Sequence, residues 1–347
     1  MNLIITIDTE ADNWGCYNQT GYSLKNLERI PLLQNLFDEF KVRPTYLITY
    51  PVATDQRCIE MFRGYLDAGK CEIGMHCHPW NTPPFDRRVS NLNFHTMLCN
   101  LPEELQDQKL ETLHEVICRN LGVVPVSFRA GRWGFGLSTA RSLCRLGYRV
   151  DTSVTPYVSV KKYGGPDFSD FGPEPFIFYP GGNVGGEGRN SLLQVPATVG
   201  FLQPNFSLCH QLMQSIEGPV VKRLRLKGVL DYLGLLNKVW LSPELADANA
   251  MIRLAKRMET NHHNCLNMVF HSTSLVAGLS PFVKTKEDEQ LFFMKIRSFL
   301  EFARESGWNS VTLAQFEATF KPPVIPTIGI GNSSLFAMNQ SQAEKTI

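Results

Sequence analysis

The sequence lacks several features that would mark particular classes of protein. None of its apolar runs approaches the ~20 residues needed to span a bilayer, and its N-terminus has neither the basic nor the long apolar region of a secretion signal. Its 34 lysines and arginines nearly balance 33 aspartates and glutamates, so no overall field attracts nucleic acid. Its nine cysteines include no C-x-x-C pair, which suits a reducing compartment. We therefore expect a cytoplasmic protein that does not bind nucleic acid.

The composition and the periodicity predict an α/β fold. At 347 residues, 43% of them hydrophobic, the chain is long enough to form one large barrel. Apolar runs of strand length alternate with stretches of helical spacing, as in βα units with parallel strands. Strands are predicted over 3–7, 44–50, 71–75, 123–128, 148–150, 192–199, 266–270 and 310–313, and helices over 24–40, 55–68, 102–120, 138–146, 206–213, 245–258 and 287–305.

Three stretches depart from this alternation. Residues 157–190 are rich in glycine and proline, which predicts a functional or mobile loop. Residues 221–241 interleave basic residues with leucines and a tryptophan. That pattern fits either a helical insertion with a solvated basic face or a peripheral contact with anionic lipid at the inner face of the membrane. Residues 321–347 are predicted to be a disordered tail.

Polar side chains gather where the predicted strands end. These residues are Asp8, Glu10, His76, His78, Arg129, Asp151 and His271. Asp8 and Glu10 are two positions apart, so both carboxylates lie on one side of their strand. Parallel βα units bring the carboxyl ends of their strands to one face. The seven side chains can therefore meet although they are far apart in sequence.

The two histidines suggest a metal site. Two imidazoles with one carboxylate and an open position form the ligand set of a catalytic Zn²⁺ site, and Co²⁺, Mn²⁺ or Ni²⁺ would also suit it. A single histidine is more often a satisfied core residue, but His76 and His78, beside Trp80 and three prolines, favour a metal. Cys77 is expected to pack as a small apolar group.

Arg129 and His271 each allow two interpretations. Arg129 is either a surface charge or the partner of a carboxylate, which its guanidinium can bind in a fork. His271 either caps the following turn or serves as a general acid.

Five segments together resemble the motifs of the polysaccharide deacetylase family, the carbohydrate esterases with a NodB-type domain. Their order and spacing match over roughly residues 1–320. They are Thr6-Ile7-Asp8-Thr9-Glu10, Glu72-Ile73-Gly74-Met75-His76-Cys77-His78, Phe128-Arg129-Ala130-Gly131-Arg132-Trp133-Gly134, Gly147-Tyr148 to Asp151, and Met268-Val269-Phe270-His271-Ser272. The variant at 76–80 and the stretch 240–243 look like a subgroup from bacterial surface-glycan biosynthesis clusters.

The resemblance implies that residues 1–320 form one domain, a distorted (β/α)₇ barrel with loop insertions. It also implies a metal-dependent hydrolase that removes an N-acyl group, usually N-acetyl, from a sugar with water activated at the metal. By position it makes Asp8 the general base, Arg129 the partner of that base and His271 the acid. The implied ligands of the metal, most simply Zn²⁺, are Glu10, His76 and His78. The residues expected to bind substrate are Trp80, Arg132, Trp133 and Asp151.

Two departures from the family pattern leave alternatives open. The usual histidines are four residues apart, whereas His76 and His78 are two apart. His95 or a water is therefore an alternative to His78 in the metal site. Gly131 and Arg132 stand where a proline and an aromatic residue are common, so the groove wall differs.

The activity has alternatives as well. The same attack by water would serve a deformylase or an O-acyl esterase acting on a free or lipid-linked sugar. A barrel that binds glycan without catalysis is the alternative from another class, because one fold hosts many functions. The sequence indicates neither the sugar nor the oligomeric state.

Overall fold

The computed structural model describes residues 1–12, 14–86, 93–181, 190–216 and 226–321. Its strands are β1 (Asn2–Thr9), β2 (Thr45–Ile48), β3 (Glu72–Cys77), β4 (Ser127–Ala130), β5 (Val150–Asp151), β6 (Phe176–Phe178), β7 (Leu192–Gln194), β8 (Val199–Phe201), β9 (Lys238–Trp240), β10 (Cys265–His271) and β11 (Asn309–Ser310). Its helices are α1 (Ile30–Glu39), α2 (Tyr50–Thr54), α3 (Gln56–Asp67), α4 (Glu103–Leu121), α5 (Leu137–Arg145), α6 (Phe206–Ile216), α7 (Leu226–Tyr232), α8 (Ala248–Thr260), α9 (Lys286–Glu305) and α10 (Leu313–Thr319).

The main sheet is a curled row of parallel strands. Seven of them run in the order β10-β1-β2-β3-β4-β5-β7, and β6 adds antiparallel to β7. The chain that follows β7 meets β10 through the Thr198 N–H, which donates to the Asn267 carbonyl at 3.0 Å. The Val269 N–H donates to the Leu241 carbonyl at 3.1 Å. This fold is the predicted distorted (β/α)₇ barrel.

Strand β1 has two buried faces, which explains its nearly continuous apolar sequence. Leu3, Ile5 and Ile7 pack in the larger core with residues of the surrounding helices. Ile4 belongs to a second cluster with Leu47, Val150, Leu193 and residues of α10. Thr6 and Asp8 share the face of Ile4 because side chains alternate along a strand. The first motif therefore points into the barrel.

A buried polar network lies beside Asp8. The Thr6 hydroxyl donates to Asn267 Oδ1 at 2.9 Å, and Asn267 Nδ2 donates to Thr152 Oγ1 at 2.8 Å. Arg129 Nη2 donates to Thr6 Oγ1 at 2.6 Å. Satisfied buried networks of this kind hold their members in one arrangement. Arg129 is thus fixed inside the barrel rather than exposed at its surface.

The structure corrects several predicted element boundaries. The strand predicted over 192–199 is two strands in different sheets, β7 and β8, separated by a segment with Pro196, which has no N–H to donate. Residues 238–240 form β9, paired with β8, whereas neither interpretation of 221–241 included a strand. Residues 50–54 form a helix that was not predicted, and β3 continues through Cys77. The last predicted strand, 310–313, is reduced to β11 because Thr312 caps α10. The observed strand boundaries differ from the predicted ones because strands form by pairing with segments that are distant in the sequence.

Parts of three predictions lie outside the described residues. These parts are 182–189 of the glycine-rich loop, 221–225 of the basic stretch and 322–347 of the predicted tail. In the described ranges the basic stretch comprises α7 and β9, and the loop contains β6. None of the helices in these ranges is both long and apolar enough to cross a membrane.

Candidate active site

Three buried side chains meet where β1 and β3 end. The ligand atoms of Glu10, His76 and His78 all lie within 4.8 Å of one another. His78 Nε2 is 2.9 Å from His76 Nε2 and 3.1 Å from Glu10 Oε2. Nitrogen and oxygen ligands about 2.0–2.2 Å from a zinc ion have separations of this order. The donor set and its spacing therefore fit a divalent cation, and we call these three residues the metal group.

The ring orientation of His76 suits ligation. Its Nδ1 lies 2.9 Å from the Arg129 carbonyl, which can only accept, so Nδ1 carries the proton and Nε2 keeps its lone pair. Burial lowers the pKa of His76 to about 4, and the nearby carboxylates of Asp8 and Glu10 do not offset this. A neutral imidazole is the form that binds a metal.

His78 is brought into the metal group by close packing. Its ring stacks on Trp80 at 4.1 Å between centroids. Gly131 also lies close to the ring, and an added Cβ there would lie 2.5 Å from His78 Cδ2 and 2.8 Å from the Cys77 carbonyl. His95, the alternative ligand, does not belong to the metal group in the described part of the chain. The family commonly has a proline at position 131, and the glycine found here leaves space for the His78 ring.

The loop after His78 is held by a buried ammonium group. Lys109 Nζ, on α4, donates to the carbonyls of Pro79, Thr82 and Pro84 at 2.9, 2.6 and 2.7 Å. Hydrogen bonds from a charged donor are stronger than those between neutral groups. Lys109 therefore supports the loop that carries Trp80.

Asp8 lies between the metal group and His271. Arg129 Nη1 donates to Asp8 Oδ1 at 2.6 Å. The other oxygen, Oδ2, is 3.7 Å from His76 Nε2 and 3.6 Å from His271 Nε2. Burial raises the pKa of Asp8, but Arg129 and the two histidines outweigh burial and hold it below its ordinary value. Asp8 is therefore ionised at neutral pH.

Glu244 is a site residue that sequence reasoning missed. It accepts from His271 Nδ1 at 3.0 Å and from the His271 backbone N–H at 3.0 Å. Burial lowers the pKa of His271, but the Glu244 carboxylate outweighs burial, and the pKa rises to about 10. Glu244 lies shortly after the end of β9, much as Asp8 and Glu10 lie at the end of β1. The sequence hides this signal, because 221–241 fits either a helical insertion or a peripheral membrane contact and predicts no strand before Glu244.

A cleft of about 600 Å³ opens above these groups. Its aromatic lining includes Trp14, Tyr17, Trp80, Trp133, Tyr163 and Trp240. Arg132 and Trp133 both have left-handed backbone conformations, with φ of +54° and +61°. Each such residue costs about 1–3 kcal/mol and tends to occur at functional sites. Aromatic faces beside polar groups are suited to binding a sugar ring.

The four predicted substrate-binding residues do not all reach the cleft. Trp80, Arg132 and Trp133 line it. Asp151 is fully buried, and its two oxygens accept from the Ser153 N–H and hydroxyl at 3.0 and 2.7 Å. Burial raises its pKa to about 7. The Ser153 hydroxyl oxygen in turn accepts from the Ala130 N–H at 2.8 Å. Asp151 therefore braces β4 beneath the cleft.

No protein-family model matches the sequence, and no curated protein matches it. Solved structures do match. A provisionally assigned polysaccharide deacetylase from Mycobacterium smegmatis has a TM-score of 0.51 at 16% identity, covering 94% of this chain and 93% of that chain. A provisionally assigned glycoside hydrolase or deacetylase from Parabacteroides distasonis has a TM-score of 0.54 at 13% identity, covering 91% and 69%. At these identities the likeness concerns the fold, and this chain has the fold of the polysaccharide deacetylases, as its five motifs predicted.

Proposed function

We propose that this protein is a metal-dependent carbohydrate deacetylase. The observation that carries the proposal is the position of Asp8. One of its oxygens is bound by Arg129, and the other is 3.7 Å from His76 of the metal group and 3.6 Å from His271. The proposal assigns Asp8 as the base and His271 as the acid, beside three side chains that could hold a metal at the floor of an aromatic cleft. The fold supports the carbohydrate class.

The proposed reaction cleaves the C–N bond of an N-acyl sugar. Asp8 accepts a proton from the water that attacks the carbonyl carbon, while Arg129 keeps the carboxylate ionised and oriented. His271 then donates its proton to the leaving nitrogen, so the products are a carboxylic acid and an amino sugar. Glu244 keeps His271 protonated for this step. A divalent cation held by Glu10, His76 and His78, most simply Zn²⁺, would supply Lewis acidity toward the acyl carbonyl and the water.

We propose N-acetyl as the acyl group and a precursor of a surface polysaccharide as the substrate. Deformylation and O-acyl hydrolysis require the same base and acid, so they remain the alternatives within the enzyme class. A panel of N-acetyl, N-formyl and O-acetyl sugars separates the three. Binding of glycan without any acyl release would favour the non-catalytic barrel.

The decisive experiment combines metal analysis with acyl release. We expect about one divalent ion per chain in the parent protein and in Asp8→Asn, with acetate released from N-acetyl sugars only by the parent. Loss of the base should lower the rate about 10²–10⁴-fold. His78→Asn should lose the ion, because it removes one of three ligands.

Matched variants make these results interpretable. Asp67→Asn, at the end of α3, and His262→Asn, at an exposed left-handed position, should keep both ion and activity. A parent protein without metal, or His78→Asn with the parent's metal content, would contradict the assigned ligands. Undiminished acetate release by Asp8→Asn would show that Asp8 is not the general base.

We also propose that the protein contacts anionic membranes peripherally. Five apolar side chains on α6, at the end of α7 and just after α7 are exposed, namely Leu208, Leu212, Tyr232, Leu233 and Leu235. In the sequence they flank the basic residues between 222 and 227. Apolar side chains next to basic ones are what an interfacial segment needs. A lipid-linked sugar on the cytoplasmic leaflet would be a matching substrate.

A further inference from the structure

Arg132 is a cation in the cleft without a carboxylate partner. Among the described residues that line the cleft it is the one arginine or lysine. The acids there have other partners: Asp8 has Arg129, Glu10 has His78 and Glu244 has His271. Within the described ranges, no acidic group lies within ion-pair distance of the Arg132 guanidinium. Its positive charge is therefore available to a ligand.

The guanidinium of Arg132 is held in place before any ligand binds. Its Nη1 donates to the Asn93 carbonyl at 3.1 Å and also to the Thr96 hydroxyl. The rings of Tyr17 and Tyr163 lie 5.3 and 5.8 Å from its Cζ. Neither Nε nor Nη2 has a hydrogen-bond partner in the part of the chain that the structure describes. A guanidinium fixed by one nitrogen, with donors left over, is arranged to bind a planar or tetrahedral oxyanion.

A series of ring contacts connects Arg132 to the metal group. His78 stacks on Trp80 at 4.1 Å, Trp80 contacts Tyr17 at 5.0 Å, and Tyr17 lies under Arg132. Sugar rings commonly pack on aromatic faces of this kind. A ligand whose acyl group is at the metal group can therefore extend along Trp80 and Tyr17 toward the guanidinium.

We propose that Arg132 binds an anionic group, a phosphate or a carboxylate, that the sugar substrate itself carries. This inference rests on the proposed function, since it describes the substrate of that site. It makes the substrate a sugar phosphate or an acidic sugar rather than a neutral glycan. Arg132 is accordingly a specificity-determining residue, and the neutral part of the substrate is bound by the aromatic lining.

The test uses sugars without an acyl group, so that no turnover intervenes. Calorimetry on the purified full-length protein would compare glucose 1-phosphate, glucuronic acid and glucose. We expect at least one anionic probe to bind about 10- to 100-fold more tightly than glucose, as for a charge-assisted hydrogen bond in a partly enclosed site. The preference should fall as salt is added. Tighter binding of glucose 1-phosphate would indicate a phosphate on the substrate, and tighter binding of glucuronic acid would indicate a carboxylate.

Two variants decide the role of Arg132. In Arg132→Gln, the ratio of the affinity for the anionic probe to the affinity for glucose should fall to near one, while glucose binding stays unchanged. Arg63→Gln, at an exposed position on α3, should behave as the parent. Any attraction of the anions to the metal group is the same in parent and variant. The proposal is overturned if neither anionic probe binds more tightly than glucose, if Arg132→Gln retains the preference, or if it weakens all three probes equally.

The outcome is separable from that of the proposed function. An anionic preference that depends on Arg132, without acetate release from any acylated sugar, would refute the deacetylase while leaving the anion site. Acetate release with no anionic preference would leave a deacetylase of neutral sugars.

Discussion

The charge of His271 depends mainly on Glu244, with smaller contributions from Glu10 and Asp8. Glu244 accepts from its Nδ1 and from its backbone N–H, and the pKa of the imidazole rises to about 10 despite burial. Because this pKa is higher than the ordinary value near 6.5, the folded protein holds the proton more tightly than the unfolded chain. The resulting stability is fully present below pH ~6.5 and is lost as the pH rises toward 10. At neutral pH, His271 is therefore protonated, as the proposed acid must be.

Replacing Glu244 should therefore change the pH dependence of the reaction. In Glu244→Gln, burial acts on His271 without its principal counter-charge, so its pKa should fall. The alkaline limb of the kcat profile should move to lower pH, and acyl release at pH 8 should drop about 10²-fold. Rates measured from pH 5 to pH 10 check this.

Glu111→Gln provides the comparison for that profile, because Glu111 is exposed on α4 and does not line the cleft. Its alkaline limb should coincide with that of the parent. If Glu244→Gln lowers the rate equally at every pH, Glu244 has a structural role and the acid assigned to His271 loses its support.

At the scale of elements, the contact between the ends of β3 and β4 decides whether His78 can reach the metal group. Met75 to Cys77 pair with Phe128 to Ala130, so the chain after each strand leaves the sheet at the same level. Gly131 is the next residue, and it has no room for a Cβ beside the His78 ring. Glycine is required at position 131 because the backbone there packs closely against the His78 ring, and not because the chain makes a turn.

Gly131→Ala should displace His78 with limited damage to the fold. We expect zinc affinity to fall at least tenfold, as when the support of a ligand is disturbed, and the free energy of unfolding to fall by about 1–3 kcal/mol from overpacking. Competition with a chromogenic chelator measures the first quantity and denaturant titration the second.

The matched glycine for this prediction is Gly64. It lies inside α3, where an added Cβ meets nothing within 4 Å, so Gly64→Ala should leave zinc affinity unchanged and stabilise slightly. Parental zinc affinity in Gly131→Ala would argue that His78 is not a ligand.

At the scale of the whole molecule, the exposed apolar residues around α7 are the described surface that favours a membrane contact. Leu233 and Leu235 are 58% and 60% exposed. Vesicles containing anionic lipid should bind the protein at low salt and release it at high salt. Leu233→Ser combined with Leu235→Ser should weaken co-sedimentation about tenfold, because the two side chains no longer bury apolar area.

Exposed apolar side chains elsewhere supply the control. Leu291 and Met294 on α9 are 50% and 62% exposed, and replacing both by serine should leave vesicle binding unchanged. Failure of the parent to bind anionic vesicles at low salt would end the membrane proposal.

The sequence predicted that Asp8, Arg129, His271 and the residues of the metal group lie together, since each stands at the end of an apolar strand and parallel strands end on one face. The same alternation predicted βα units with parallel strands, and the resemblance to the deacetylase motifs implied the barrel. Local patterns were sufficient here because burial on both faces makes such strands continuously apolar.

What required the tertiary structure was the pairing of groups that carry no local signal. Glu244 beside His271, the burial of Asp151 and the split of 192–199 into β7 and β8 depend on contacts between segments distant in the chain. The position of His78, rather than His95, beside Glu10 and His76 in the described part of the chain also depends on packing against Gly131. Periodicity in the sequence determined which residues face the barrel, but only three-dimensional packing decided which of them touch, because contact energies act between neighbours in space.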